Sequence, residues 1–203
     1  MKIFCIARNY QSHADEFKSP LPAEFIVFMK PDTALLRKNE PFYIPDFSNE
    51  IHHEVELVIR INRLGKSINE KFAHRYYNEI GLGIDFTARD LQYDLMKKGL
   101  PWEKCKSFDN SAVISEFVDI SKYSDINSLP FRLEVNGETR QQGNSRDMIF
   151  SFNRIIAELS KYFFLKIGDL IYTGTPAGVG SVSTNDRLRG FVDDECFFDF
   201  LIK

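Results

Sequence analysis

Eight short runs rich in β-branched and aromatic residues punctuate this chain, at Lys2–Ile6, Glu24–Met29, Glu54–Ile61, Ile80–Phe86, Ala112–Phe117, Phe131–Asn136, Asp169–Tyr172 and Cys196–Ile202, and their length and content read as strands. Two segments carry a clear helical pattern. Strands and helices therefore do not alternate strictly, which excludes a doubly wound parallel sheet and leaves a β-rich α+β fold. Asn136-Gly137, set between Leu133-Glu134-Val135 and Glu138-Thr139, has the composition of a type I′ hairpin and predicts an antiparallel pair. The first helix is predicted over Ala88–Lys98, with Thr87 and Asp90 spaced as a capping box and Gly99 and Pro101 as its stop. The second starts near Ser145 and carries Met148, Ile149, Phe152, Ile155, Ile156 and Leu159 as one apolar stripe, read as core packing.

No repeat, low-complexity tract or linker interrupts the 203 residues, so residues 1–203 are read as one domain. Hydrophobic residues at 43% and charged residues at 27% suffice for a real core. With 26 Lys and Arg against 29 Asp and Glu, the net charge of −3 gives no electrostatic footprint for nucleic acid. Cys5, Cys105 and Cys196 are odd in number and far apart, which suits neither a disulfide framework nor a zinc or redox motif, and a reducing cytoplasm is the expected location. No apolar run reaches membrane-spanning length, and Met1–Arg8 is too short for a secretory signal, so no membrane partner is expected.

The segment His53–Ile61 is the most informative chemically. As a strand it places Glu54, Glu56 and Val58 on one face and Val55, Leu57, Ile59 and Ile61 on the other. In isolation that polar face also reads as a solvated one. Asp85, however, ends another apolar strand where the chain turns into a helix. Three carboxylates brought together would repel unless a cation sat among them, and all-oxygen ligation favours Mg²⁺ or Mn²⁺ over zinc. Lys106 could balance the excess charge. Arg89 and Gln92, three residues apart, could aim a guanidinium and an amide at one ligand, or lie on the surface. His13 and Glu16 have the same spacing; the carboxylate could orient the imidazole as a general base, or the two could form a surface pair. His52 and His53 are read as structural neighbours of the carboxylate strand and His74 as exposed on a helix. The loop Thr173–Gly180 lacks the lysine and the glycine spacing of a phosphate cradle.

Taken in order, seven segments give the chain, over nearly its whole length, a resemblance to the fumarylacetoacetate hydrolase family, in particular its short acylpyruvase and oxaloacetate decarboxylase branch. They are Arg8-Asn9-Tyr10 with His13 and Glu16, Phe28–Thr33, His53–Leu57, Asp85–Gln92, Gly99–Trp102 with Lys106, Val135–Glu138 and Thr173–Gly180. The resemblance implies a mixed β-roll, a homodimer, and Mg²⁺ or Mn²⁺ held by Glu54, Glu56 and Asp85. It places Lys106 beside the metal, has Arg8, Lys30, Arg89, Gln92 and Thr175 face the substrate, and puts His13 with Glu16 on a lid within residues 1–45. Ala7 stands where the family usually has glycine, which bears on the hinge of that lid. The implied reaction is metal-dependent hydrolysis of the C–C bond of acylpyruvates, a small-molecule 2-oxo acid class, with oxaloacetate decarboxylation as a possible second or main activity. The alternatives are isomerisation, tautomerisation or decarboxylation of a related 2-oxo acid, and a metal-binding protein without turnover. The family hosts several of these reactions on one site, so fold alone does not choose among them.

Overall fold

The alternation along residues 54–61 is realised in strand β5 (Val55–Ile61), at the middle of a mixed sheet. The computed structural model describes residues 1–12, 24–37 and 39–203. Among these, one eight-stranded sheet runs in the order β2 (Val27–Lys30), β1 (Ile3–Ile6), β12 (Leu170–Tyr172), β5, β6 (Tyr77–Asp85), β8 (Ala112–Ile114) and β3 (Leu35–Leu36), with β9 (Val118–Asp119) paired to β6. β1 with β12 and β3 with β8 are parallel, whereas β5 is antiparallel to both of its neighbours. A second sheet has the order β11 (Glu138–Asn144), β10 (Pro130–Val135), β14 (Arg187–Val192) and β15 (Glu195–Leu201), and a third β13 (Gly180–Ser181), β4 (Ile51–His53) and β7 (Thr87–Ala88). This is the expected β-rich α+β class. Among the described residues, no helix is long and apolar enough to cross a membrane.

Both faces of the large sheet are covered, which is why its strands are apolar on both sides. Val55, Leu57, Ile59 and Ile61 enter the main core with Phe131, Leu133 and Phe152. Val58 points the other way, into a smaller cluster with Ile3, Cys5, Leu170 and Tyr172. Each such fully buried side chain contributes about 1.5–3 kcal/mol. On β6, Gly83 pairs with Glu56, and a Cβ there would lie 2.6 Å from the Tyr172 ring. The small cluster thus packs closely beneath the end of the sheet at which Glu54, Glu56 and Asp85 lie.

The hairpin forms as predicted, with φ of 55° at Asn136 and 85° at Gly137, the pair of positive values that a type I′ turn requires. Helix α1 (Arg89–Lys98) ends at Gly99, whose φ of 62° lets Leu100 N donate to Leu95 O at 2.9 Å. Its capping box does not form. Ala88 is the cap residue, Asp90 accepts from Ser48 Oγ and Asn49 N, and Thr87 is used elsewhere. A short helix α2 (Glu103–Lys106) follows. The last helix, α3 (Phe152–Tyr162), starts seven residues later than predicted, capped by Ser151 Oγ, which accepts from Arg154 N. The cause is Asn9: its backbone oxygen accepts from Ile149 N at 2.8 Å and its side-chain oxygen from Phe150 N at 2.7 Å, so the helical start at Ser145 is limited to a 3₁₀ turn, Ser145–Asp147, and does not run on into α3.

Candidate active site

Glu54 lies between β4 and β5, Glu56 on β5 and Asp85 at the end of β6, and they are 5%, 2% and 1% exposed. The solvated-face alternative is therefore excluded. One oxygen from each carboxylate can be chosen so that all three lie within 4.8 Å of one another. Burial, then the charges of Asp85 and Glu54, pushes the Glu56 carboxyl well above the ordinary carboxylate range.

Among the described residues, three cations contact these carboxylates. Lys106 Nζ, on α2, donates to Glu54 Oε2 at 2.7 Å, Asp85 Oδ2 at 2.8 Å and Thr87 Oγ1 at 2.6 Å. Burial disfavours this ammonium, but Asp85 and Glu54 outweigh burial and hold it protonated. Lys30 Nζ, at the end of β2, is 2.7 Å from Asp85 Oδ1 and also donates to Ser111 Oγ at 3.0 Å and to Lys106 O. Arg89, at the start of α1, bonds Glu54 Oε1 and Gln92 Oε1 and reaches His52 Nδ1 at 3.3 Å. The balancing charge that the sequence reading gave to Lys106 alone is thus shared by three residues. Lys30 does not line the cavity; it stands behind Asp85 and fixes that carboxylate from the rear.

The carboxylates line a cavity of about 200 Å³, together with Lys106, Arg89, Gln92, Thr175 and Arg8, and with Phe28, Tyr93, Met96 and Trp102. Arg8, Arg89, Gln92 and Thr175, which the resemblance has facing a substrate, thus line the same cavity as the three carboxylates. His13 and Glu16 lie outside the described residues. His52 and His53 flank the carboxylate strand, and His74 is exposed on a short 3₁₀ turn. The positive φ in this segment, 57°, falls on Arg8 and not on Ala7, so alanine in place of glycine at position 7 costs the backbone nothing.

The donor set fits a hard divalent cation. It is all oxygen, and Asp85 Oδ1 is buried without a well-directed hydrogen bond. Burial pushes the nearby thiols up, Cys5 well above its ordinary range and Cys105 to about 11, so neither offers a thiolate.

Several participants were not legible in the sequence. Thr87 was read as a cap, Ser111 went unread, and Gln141 is an isolated residue of β11. Gln141 Oε1 accepts from Val55 N at 3.0 Å, and its amide donates to Thr175 Oγ1 at 2.8 Å. Gly174 N donates to Glu56 Oε2 at 2.6 Å from a backbone with φ of 101°, and a Cβ there would lie 2.6 Å from that of Asn9. Gly174→Ala is therefore expected to cost roughly 1–3 kcal/mol in denaturant unfolding and to weaken Mn²⁺ binding in calorimetry, because the donor to Glu56 must move. Wild-type values for both would remove Gly174 from the site's support.

The family profile described as fumarylacetoacetate (FAA) hydrolase C-terminal matches residues 2–195. The chain is 43% identical to the mitochondrial oxaloacetate tautomerase FAHD1 of Rattus norvegicus, over 94% of this chain and 86% of that protein. It is 40% identical to the oxaloacetate tautomerase YcgM of Escherichia coli K12, over 92% and 86%. Its structure resembles that of a fumarylpyruvate hydrolase from Pseudomonas aeruginosa in complex with Mn²⁺ and pyruvate, with a TM-score of 0.94 and 32% identity over 100% of this chain and 89% of the other.

Proposed function

This chain belongs to the fumarylacetoacetate hydrolase family, and from that premise we propose that it is a divalent-metal-dependent enzyme whose main reaction is the keto–enol tautomerisation of oxaloacetate. The similarity to two oxaloacetate tautomerases over most of the chain supports the isomerase alternative over the acylpyruvate hydrolysis that the sequence reading put first. The observation that carries the reading is the ammonium of Lys106, fixed on Glu54 and Asp85 inside a cavity lined by three carboxylates.

Glu54, Glu56 and Asp85 would hold the Mg²⁺ or Mn²⁺. When bound, such an ion acts as a Lewis acid on the 2-oxo group and lowers the cost of negative charge next to it. Lys106 adds a positive charge already oriented where the enolate oxygen develops, so no reorganisation is needed at that moment. Lys30 keeps Asp85 in place from behind. Arg89 and Gln92, bonded to each other, present a guanidinium and an amide to the substrate's polar atoms. His13, oriented by Glu16, is the proposed base that takes the proton from C3 and returns it to the enol oxygen. In acylpyruvate hydrolysis the same base would instead deprotonate water. Homodimeric assembly, a cytoplasmic location and Mg²⁺ as the physiological ion are carried by the resemblance and belong to the same proposal.

The test is a side-by-side assay with Mg²⁺ and Mn²⁺ of enol-oxaloacetate decay, pyruvate release from oxaloacetate, and acetylpyruvate cleavage. Tautomerisation is expected to have the highest kcat/KM, and faster acetylpyruvate cleavage would return hydrolysis to first place. His13→Ala is expected to slow tautomerisation and acetylpyruvate hydrolysis by roughly 10²–10⁴-fold, and decarboxylation far less, because loss of CO₂ needs an electron sink but no base. Equal losses in all three reactions would assign His13 to closing the lid.

A further inference from the structure

We propose that Arg8 receives the distal carboxylate of the substrate and so makes the site selective for dianionic 2-oxo acids over those with a neutral tail; this rests on the 2-oxo-acid reading above. Arg8 lines the same cavity as Glu54, Glu56 and Asp85. Its charge is differently placed from the others there. Lys30, Lys106 and Arg89 each contact a carboxylate, whereas the Arg8 guanidinium has no ion pair or hydrogen bond with any described residue.

The backbone holds Arg8 in the left-handed region, with φ of 57°, which a non-glycine residue seldom adopts without a constraint. That constraint is visible on both sides. Ala7 N donates to Ile26 O at 3.1 Å, and the Asn9 side chain is locked by bonds to Phe150 O at 3.0 Å and Thr173 O at 2.7 Å. The chain is pinned before and after Arg8, and its conformation sets an uncommitted cation on the cavity wall.

Charge counting identifies the ligand class. The three carboxylates are matched by Lys30, Lys106 and Arg89, so a divalent ion and Arg8 together leave a surplus of three positive charges among the described residues. The enolate of a 2-oxo dicarboxylate carries three negative charges: two carboxylates and the enolate oxygen. The enolate of an acylpyruvate with a neutral tail carries two. An arginine suits the extra carboxylate because its fork can bond both oxygens at once.

The test compares oxaloacetate with its 4-ethyl monoester, which keeps the 2-oxo acid head and neutralises the tail, on the Mn²⁺-loaded protein. Wild type is expected to favour the dianion, and Arg8→Gln to lower the ratio of kcat/KM for oxaloacetate to that for the monoester by about tenfold or more, with Arg8→Lys retaining part of the preference. A readout independent of turnover is the calorimetric Kd of pyruvate, which has the head alone; Arg8→Gln should weaken it less than it raises the oxaloacetate KM. Equal handling of acid and ester by wild type overturns the proposal without any variant. Losses of equal size for both substrates in Arg8→Gln, or no loss, overturn it as well. Wild-type protein that binds Mn²⁺ but neither pyruvate nor oxaloacetate overturns the 2-oxo-acid reading itself, and the role of Arg8 falls with it.

Discussion

Removing the divalent cation with excess chelator is expected to abolish turnover and lower the melting temperature, and Mg²⁺ or Mn²⁺ is expected to restore both. The reason is the mutual repulsion of Glu54, Glu56 and Asp85, which are buried with one oxygen each inside 4.8 Å. A cation at one hundred times its dissociation constant stabilises the folded state by about 2.7 kcal/mol, or roughly 5–11 °C for a chain of this size. Glu56→Gln should match the chelated protein in both turnover and stability, since the amide is as uncharged as the protonated carboxyl of the metal-free fold. The sign of the pH dependence follows from Glu56. Burial and the charges of Asp85 and Glu54 raise its pKa in the folded state, so the metal-free fold holds a proton that the unfolded chain releases. The stability this contributes is fully present below the ordinary carboxylate range and is lost as the pH rises through the raised value. A bound cation must displace that proton, so Mn²⁺ affinity should increase with pH over the same interval in calorimetric titrations. Full turnover in excess chelator, with no metal found by elemental analysis, would remove the metal centre.

Much of this centre was readable because strand periodicity is a local property. Glu54, Glu56 and Val58 share a face whatever surrounds them, and Asp85 was found because it ends an apolar run. What periodicity could not say was that the face is buried, since that depends on α2 and β2 closing over it from distant parts of the sequence. Lys30 shows this: the Phe28–Thr33 segment marked it, but only the fold reveals that its ammonium is spent on Asp85 and Ser111. Thr87 failed the other way. A threonine three residues before an aspartate is a sound capping signal, yet here the hydroxyl accepts from Lys106 and donates to the Asp85 carbonyl instead of capping the helix. The start of α3 was misplaced because Asn9, more than 130 residues away, takes the backbone donors of Ile149 and Phe150. Strand β14 was missed because Arg187 and Arg189 follow Asn185-Asp186, a loop-like string. Their guanidinium groups lie on Asp199 and Glu134 at the sheet surface, while Leu188 and Val192 fill the core.

Replacing Lys106 by methionine is expected to lower turnover on every active substrate by on the order of 10²-fold or more, the usual loss when one preorganised electrostatic contact to a transition state is removed. Methionine keeps much of the side chain's length and apolar volume, so the change isolates the charge. The structure predicts a second, opposite effect. Lys106 bonds Glu54, Asp85 and Thr87 at once, and without it two buried carboxylates lose a counter-ion that Arg89 and Lys30 only partly replace. Breaking a buried pair by removing one partner costs about 3–5 kcal/mol, so the metal-free variant should melt well below wild type. Its site is also one unit more negative. Mn²⁺ should therefore bind at least as tightly as to wild type and restore a larger share of the melting temperature. Calorimetry, thermal denaturation with and without Mn²⁺, and turnover measured on the same preparation separate the two effects. Weaker Mn²⁺ binding would mean that Lys106 positions the ligands rather than balancing their charge. Near wild-type turnover would place the enolate's counter-charge elsewhere in the cavity, with Arg89 the next candidate.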